Sequence, residues 1–147
     1  MAKYLLVAHQ TAERKELLDA ARGLAAADQK ARFTLLVPAT PAGDLLTWEE
    51  GETKELARAR ASSAAAILRE HGINLVDARI GDADPVLAVD DELLAGNRFD
   101  CIVISTLPRG ISRWVKMDVV SRLQRKHSNL RVIHVESEEP AKLDRTG

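Results

Sequence analysis

The sequence predicts an α/β protein, a single domain in which helices cover both faces of a doubly wound, five-stranded parallel sheet. Short apolar runs alternate with amphipathic helical patterns along the chain, as expected of parallel strands joined by helical crossovers. The strongest runs are apolar at every position, which is typical of strands buried on both faces. The length of 147 residues is that of one domain, and it allows a core that needs no disulfide or metal.

The first half of the chain predicts two strands, each followed by a helix. Residues 4–8 (YLLVA) and 33–37 (FTLLV) are the apolar runs. A helical repeat of Leu and Ala spans residues 13–27, and Thr11 is placed to cap its N-terminus. The alanine-rich residues 52–71 form the clearest helical pattern, which ends before a glycine, as helices commonly do.

The second half predicts three strands and two more helices. A weaker strand covers residues 73–80, and Asp84 and Pro85 suit the cap and first turn of a helix that runs to about residue 95. The remaining elements are a strand over residues 99–105, a basic amphipathic helix within residues 108–127, and a last strand over residues 131–135. The α/β domain is therefore expected to span residues 1–136, followed by a polar tail at residues 137–147.

Composition and charge exclude several classes of function. The formal net charge of −1 predicts no general attraction to nucleic acid or to acidic membranes. The single cysteine, Cys101, excludes an internal disulfide and any site with several cysteine ligands, and no histidine spacing indicates a metal site. No apolar run approaches the roughly 20 residues of a membrane span and no signal peptide is visible, so the expected location is the cytoplasm.

In a parallel α/β sheet, ligands bind beyond the carboxyl ends of the strands. We therefore expect the residues just after each strand to converge on one edge of the sheet. The candidate ligand-binding residues there are His9 and Gln10 after the first strand, Val37 at the end of the second, and Ser105 and Thr106 at the end of the fourth. The glycine-rich turns of dinucleotide-binding and P-loop proteins are absent, which disfavours nicotinamide chemistry and P-loop hydrolysis.

The segment after the fourth strand is basic, although the whole chain is slightly acidic. Arg109, Arg113 and Lys116 share one face of the predicted helix near its N-terminus, where free N–H groups and the helix dipole attract anions. This face either holds a small anion or is a solvated surface that balances acidic residues elsewhere. Both interpretations stay open at this point.

No catalytic set stands out in the sequence. His9 is placed to act as a general base, with Asp82 as an acidic partner, or to form a structural hydrogen bond to a neighbouring loop. Cys101 lies in the most apolar strand, which predicts a buried and inert thiol. We therefore expect a protein that is not an enzyme, with a small hydrolase that uses His9 as an alternative.

Several segments of the chain resemble the universal stress protein family. Residues 81–85 (GDADP) are similar to the glycine-led turn before the family's penultimate helix, and residues 99–105 (FDCIVIS) to its DLIVMGS strand. Residues 118–135 resemble its closing helix and strand. A group of diverged, actinobacterial stress-protein-like chains has similar segments, which here are residues 7–11 (VAHQT), 36–40 (LVPAT) and 105–114 (STLPRGISRW). The likeness covers nearly the whole chain.

The resemblance implies the strand order 3-2-1-4-5, and it also implies a changed ATP site. The positions of the family's ATP motif align with Ser105, Pro108, Asp118 and Val119, and Gln10 stands where the family has an aspartate. None of the motif glycines is present. Pro108 has no N–H to donate, and Asp118 would bring a carboxylate close to a triphosphate. Val37, at the position beside adenine, is retained.

The resemblance thus implies a cytoplasmic, stress-protein-like binding or assembly module that has no cofactor and does not hold ATP in the family's usual manner. Gly110, together with Arg109 and Arg113, is expected to bind a different small anion. The alternative is a protein that binds adenine nucleotides (ATP or AMP) through a remodelled phosphate loop. The family also implies a homodimer formed by pairing of the last strands, Arg131–Glu136 here, because an unpaired edge strand invites pairing.

Overall fold

A computed structural model describes residues 2–39, 50–108 and 112–138 of the chain. Within these ranges the chain forms five strands and five helices. Their bounds are β1 Lys3–Val7, α1 Lys15–Ala27, β2 Arg32–Pro38, α2 Glu50–Glu70, β3 Leu75–Gly81, α3 Pro85–Leu94, β4 Cys101–Thr106, α4 Arg113–Lys116, α5 Val119–Lys126 and β5 Arg131–Glu136.

The strands form one parallel sheet in the order β3-β2-β1-β4-β5, which confirms the predicted fold and strand order. β1 lies in the centre. Its residues 4–7 pair on one side with residues 33–36 of β2 and on the other with residues 101–104 of β4. The direction of winding therefore reverses between β1 and β4, and ligands of such sheets bind beyond the carboxyl ends of those two strands.

Helices on both faces bury the sheet, which explains why the strands are apolar at successive positions. Leu6 faces a core formed with α1 and α2, whereas Leu5 and Val7 face a second core formed with α3, α4 and α5. None of these three side chains has any exposed surface. Trp114 of α4 is buried in the second core. It anchors its helix to the sheet.

Two predicted helix caps have different outcomes. Asp84 caps α3, and its Oδ1 accepts a hydrogen bond at 2.9 Å from a backbone N–H of the first turn. The cap predicted at Thr11 is wrong, because α1 begins only at Lys15 and has no side-chain cap. The Thr11 hydroxyl instead lies 2.5 Å from the hydroxyl of Ser105, 94 positions away in the sequence. A long-range hydrogen bond thus replaces the local one.

The single basic helix predicted within residues 108–127 is in fact two helices. α4 and α5 are separated at Asp118, whose backbone is left-handed with a φ of 59°. This conformation favours glycine, and the resemblance to universal stress proteins aligned a motif glycine with this position. The side chain that replaces it is a carboxylate, 61% exposed and 3.7 Å from the guanidinium of Arg125.

The first two residues of the predicted tail are bound to the domain. The N–H of Ser137 donates to the carbonyl of Thr106 at 2.9 Å, and the N–H of Glu138 donates to the carboxylate of Glu16 at 3.1 Å. Arg14 also donates to the carbonyl of Glu138, at 3.1 Å. The start of the tail is therefore held against α1, while residues 139–147 lie outside the described residues.

Gly81, at the end of β3, is a point of close approach between the sheet and α3. A Cβ atom there would lie 2.9 Å from the Cβ of Ala88 and 3.1 Å from the Cδ1 of Leu36. We expect Gly81→Ala to lower the free energy of unfolding by about 1–3 kcal/mol, because the added methyl group overpacks this contact. Urea denaturation measures the change.

Gly23 of α1 provides the matched control for this substitution. An added Cβ there meets no atom within 4 Å. Gly23→Ala is therefore expected to raise the free energy of unfolding by about 0.5–1 kcal/mol, since alanine is the better helix former. A destabilisation of similar size at both positions would contradict the close packing at Gly81.

Candidate functional site

The carboxyl ends of β1 and β4 bring polar residues together, as the sequence predicts. Thr11, in the loop after β1, and Ser105, near the end of β4, place their hydroxyl oxygens 2.5 Å apart. Both residues are 1% exposed. This hydrogen bond ties the loop after β1 to β4 at the edge of the sheet where a ligand is expected.

His9 is the most unusual residue of this edge. It is 4% exposed, and neither Nδ1 nor Nε2 has a hydrogen-bond partner among the described residues. Burial, together with the smaller effect of the nearby positive charge of Arg60, lowers the pKa of its imidazole from 6.5 to about 4. The ring is therefore neutral at pH 7, with one nitrogen that can donate a hydrogen bond and one that can accept.

Arg60 of α2 is a site residue that the sequence analysis missed. Its Nη1 donates to the carbonyl of Gln10 at 3.5 Å, and its buried Nε–H has no partner among the described residues. The sequence feature that could have identified Arg60 is its position on the helix. Ala57 and Ala64, three positions before and four after it, are fully buried, so Arg60 stands beside the helix face that packs on the sheet.

The other predicted ligand-binding residues have varied positions. Gln10 is exposed and offers its side chain to solvent. Val37 is fully buried in the core beneath α1 and α2. The hydroxyl of Thr106 lies 2.8 Å from Nε2 of His134 and 2.8 Å from the carbonyl of Leu107, so it is already engaged within the protein.

The predicted basic face after β4 falls largely outside the part of the chain that the structure describes. Arg109 and Gly110 are not described, and Arg113 and Lys116 belong to α4 without described side chains. Pro108 is described, and its carbonyl accepts a hydrogen bond at 2.8 Å from the N–H of Ser112. Anion binding by this face stays a prediction.

The described residues of this edge form no acid–base pair with His9. Asp82, the expected acidic partner, is exposed, and its Oδ1 accepts a hydrogen bond from the N–H of Asp84 at 2.9 Å.

Cys101 is 2% exposed, and burial raises the pKa of its thiol, which agrees with the predicted inert role. No group of three or more metal-binding side chains occurs within the described ranges. The helices described here all lack the length and apolarity that a membrane crossing needs.

Solved structures resemble this architecture over nearly the whole chain. A universal stress protein from Archaeoglobus fulgidus is 16% identical, with a TM-score of 0.59 over 92% of this chain and 93% of that one. A universal stress family protein from Burkholderia pseudomallei is 18% identical, with a TM-score of 0.61 over 92% and 96%. The chain has the universal stress protein fold.

A third structure with this fold contains a nucleotide. It is a universal stress protein in complex with cAMP, 16% identical, with a TM-score of 0.56 over 91% of this chain and 96% of that one. No protein-family model matches the sequence, and no curated protein matches it either. The universal stress protein fold is therefore established here by structure, at sequence identities below those that show a shared function.

The buried state of His9 predicts a specific pH dependence of stability. Because the folded state holds the pKa near 4 and the ordinary value is 6.5, the unfolded chain binds the proton more readily between these values. Stability is therefore complete above about pH 6.5 and falls as the pH decreases towards 4. At about 1.4 kcal/mol per pKa unit, the loss attributable to His9 is about 3 kcal/mol.

Urea denaturation of the wild type and of His9→Leu between pH 7 and pH 4 measures this contribution. The variant is expected to lose less stability over this range, because it no longer has a group to protonate. His71→Gln, at an exposed helix end, controls for the loss of a histidine and should retain the wild-type slope. Identical slopes for the wild type and His9→Leu would show that His9 is not buried as described.

Proposed function

We propose that this protein is a stress-protein-like binding module that holds a small anionic ligand at the carboxyl edge of its sheet, beside His9 and Arg60. One observation carries the proposal: both ring nitrogens of His9 and the Nε of Arg60 are buried without hydrogen-bond partners among the described residues. Each such group costs about 1–3 kcal/mol when it is left unpaired. A ligand that supplies the missing partners offsets this cost.

The charges of these groups favour an anion. Arg60 is a permanent cation with an unused N–H, and the neutral His9 ring adds a donor and an acceptor without a charge of its own. No carboxylate forms a hydrogen bond to His9 within the described residues. An oxyanion bound beside Arg60 therefore meets attraction with no described negative charge directly opposed to it.

The same features support binding rather than catalysis. A histidine with a pKa of about 4 is a weak general base at pH 7, where the efficient base has a pKa close to the working pH. The expected partner Asp82 is engaged in the turn before α3. The hydrolase alternative thus has neither a basic imidazole nor, among the residues that the structure describes, a carboxylate to orient it.

An adenine nucleotide is the second candidate ligand. The structure of a universal stress protein with cAMP favours it, because that protein has the same fold as this chain. The edges of an adenine ring carry both donors and acceptors, which complement a neutral imidazole. Pro108 and the carboxylate of Asp118 disfavour the family's usual mode of nucleotide binding, because they replace the glycines that the resemblance aligns there.

Ligand-induced thermal stabilisation tests both candidates. We expect the thermal midpoint to rise in the presence of inorganic phosphate, AMP or cAMP, since a ligand at 100 times its Kd stabilises a fold by about 2.7 kcal/mol. A larger shift with AMP and cAMP than with phosphate would favour the nucleotide. The absence of a shift with every phosphate compound would overturn the anion-binding proposal.

Two substitutions on one helix locate the site. Arg60→Gln is expected to weaken binding at least tenfold, because a hydrogen bond to a charged group contributes about 1.5–3 kcal/mol. Arg58→Gln is the matched control on α2, since Arg58 pairs at 3.4 Å with the exposed Glu55. Titration calorimetry of both variants measures the change. Equal losses in both would indicate general electrostatics rather than a site at Arg60.

We also propose that the protein forms a homodimer through β5. This strand lies at one edge of the sheet, and an edge strand is where a second copy of the chain can add its own strand. The first tail residues leave it towards α1. Sedimentation equilibrium should give twice the chain mass of 16.1 kDa. A single-chain mass at millimolar concentration would contradict the dimer.

A further inference from the structure

We propose a second binding site, for a small organic anion with an apolar body, at the amino ends of the strands, opposite the carboxyl ends where His9 lies. A cavity of about 300 Å³ lies there, formed by the first residues of β1, β2 and β3 and by residues 96–99 before β4. Its volume is at the lower end of the range for small-molecule pockets, about 300–1,000 Å³. Every residue that lines it belongs to the described part of the chain.

The charged residues that line this cavity are all basic. They are Lys3, Arg32, Arg79 and Arg98, and no carboxylate lines it with them. Arg79 is more than neutralised, because its Nε lies 2.7 Å from the carboxylate of Asp77 and its Nη1 contacts that of Glu92, so these three groups together carry one excess negative charge. Its positive charge is therefore unavailable to a ligand.

The other three cations have no such compensation. The side chains of Lys3, Arg32 and Arg98 form no ion pair with any described residue. The nearby carboxylate of Asp100 accepts a hydrogen bond at 2.8 Å from the backbone N–H of Lys3 and does not line the cavity. Three like charges around one cavity repel each other, and an anion between them removes that repulsion.

Part of the cavity lining is apolar, which favours a ligand that has an apolar part over a simple inorganic ion. Phe33 pairs with Leu75 but Thr34 pairs with Asp77, so the strand register shifts and Val76 is the extra residue of a bulge. Val76 is consequently 54% exposed although it belongs to a strand. It lines the cavity with Phe99, so an apolar surface lies beside the three cations.

Thr34 adds a polar group to the lining of the cavity. It is 6% exposed, lines the cavity, and its hydroxyl forms no hydrogen bond with any described residue. Its neighbours Phe33 and Leu35 face the core beneath α1 and α2, so Thr34 points to the other face of the sheet. The hydroxyl, the apolar patch and the cations together match an oxyanion joined to an apolar group.

Phenyl phosphate is the probe for this site, and amide chemical shifts of the full-length protein report where it binds. We expect saturable shifts at Thr34, Val76 and Gly96, with affinity that falls as the salt concentration rises. Inorganic phosphate and benzyl alcohol should each bind at least tenfold more weakly, because each has only half of the proposed chemistry. Benzoate distinguishes a general oxyanion site from one that prefers phosphate.

The double substitution Arg32→Gln and Arg98→Gln should weaken phenyl phosphate binding at least tenfold without lowering the thermal midpoint, since both side chains are exposed. Arg22→Gln, an exposed position of α1, is the matched control and should bind like the wild type. Arg60→Gln should leave the affinity read from the shifts of Thr34, Val76 and Gly96 unchanged, even if it removes shifts around His9, which separates the two sites. Unchanged affinity in the double variant, or shifts confined to residues around His9, would overturn the proposal.

Discussion

The pairing of β1 with both β2 and β4 determines where polar side chains can lie along the central strand of the sheet. Because β1 has a strand on each side and a helical layer on each face, its residues Leu5, Leu6 and Val7 have no contact with solvent. Polar side chains are therefore restricted to the two ends of the strand, since an unpaired polar group within it would be costly. His9 follows one end and Lys3 begins the other, and each belongs to one of the two sites proposed for this chain.

The charged side chains between α3 and α5 differ from those at the two proposed sites, because they form ion pairs with one another. Arg122 lies 3.1 Å from the carboxylate of Asp84, and Lys126 and His127 lie 2.5 Å and 2.7 Å from that of Asp90. Burial opposes ionisation of Asp90, but the hydrogen bonds from Lys126 and His127 together hold its pKa below the usual value. Every charge in this contact has a partner. The unpaired groups at the two ends of the sheet are thus local features, which favours a ligand as their missing partner.

The sequence predicted the parts of this structure that depend on local pattern or on burial. Continuous apolar runs identify strands covered on both faces, and Asp84 followed by Pro85 identifies a helix start from side-chain chemistry alone. The errors occur where a distant contact competes with a local one. Thr11 has a capping side chain, yet its hydroxyl pairs with Ser105 from another strand. Arg60 resembles any surface arginine of an alanine-rich helix, and only the packing of α2 on β2 and β3 brings it to Gln10 and His9.

The free-energy cost of the unpaired nitrogens beside His9 is large compared with the stability of a whole domain. The three buried nitrogens together cost about 3–9 kcal/mol, at about 1–3 kcal/mol for each group. The free energy of unfolding of a whole domain is typically only about 5–15 kcal/mol. A leucine in place of His9 would fill a similar volume without this cost, and it would suit a buried position directly after the apolar β1. A polar, neutral imidazole beside a partly unused guanidinium is therefore a poor choice for stability alone, and the proposed ligand would supply the physical reason for it.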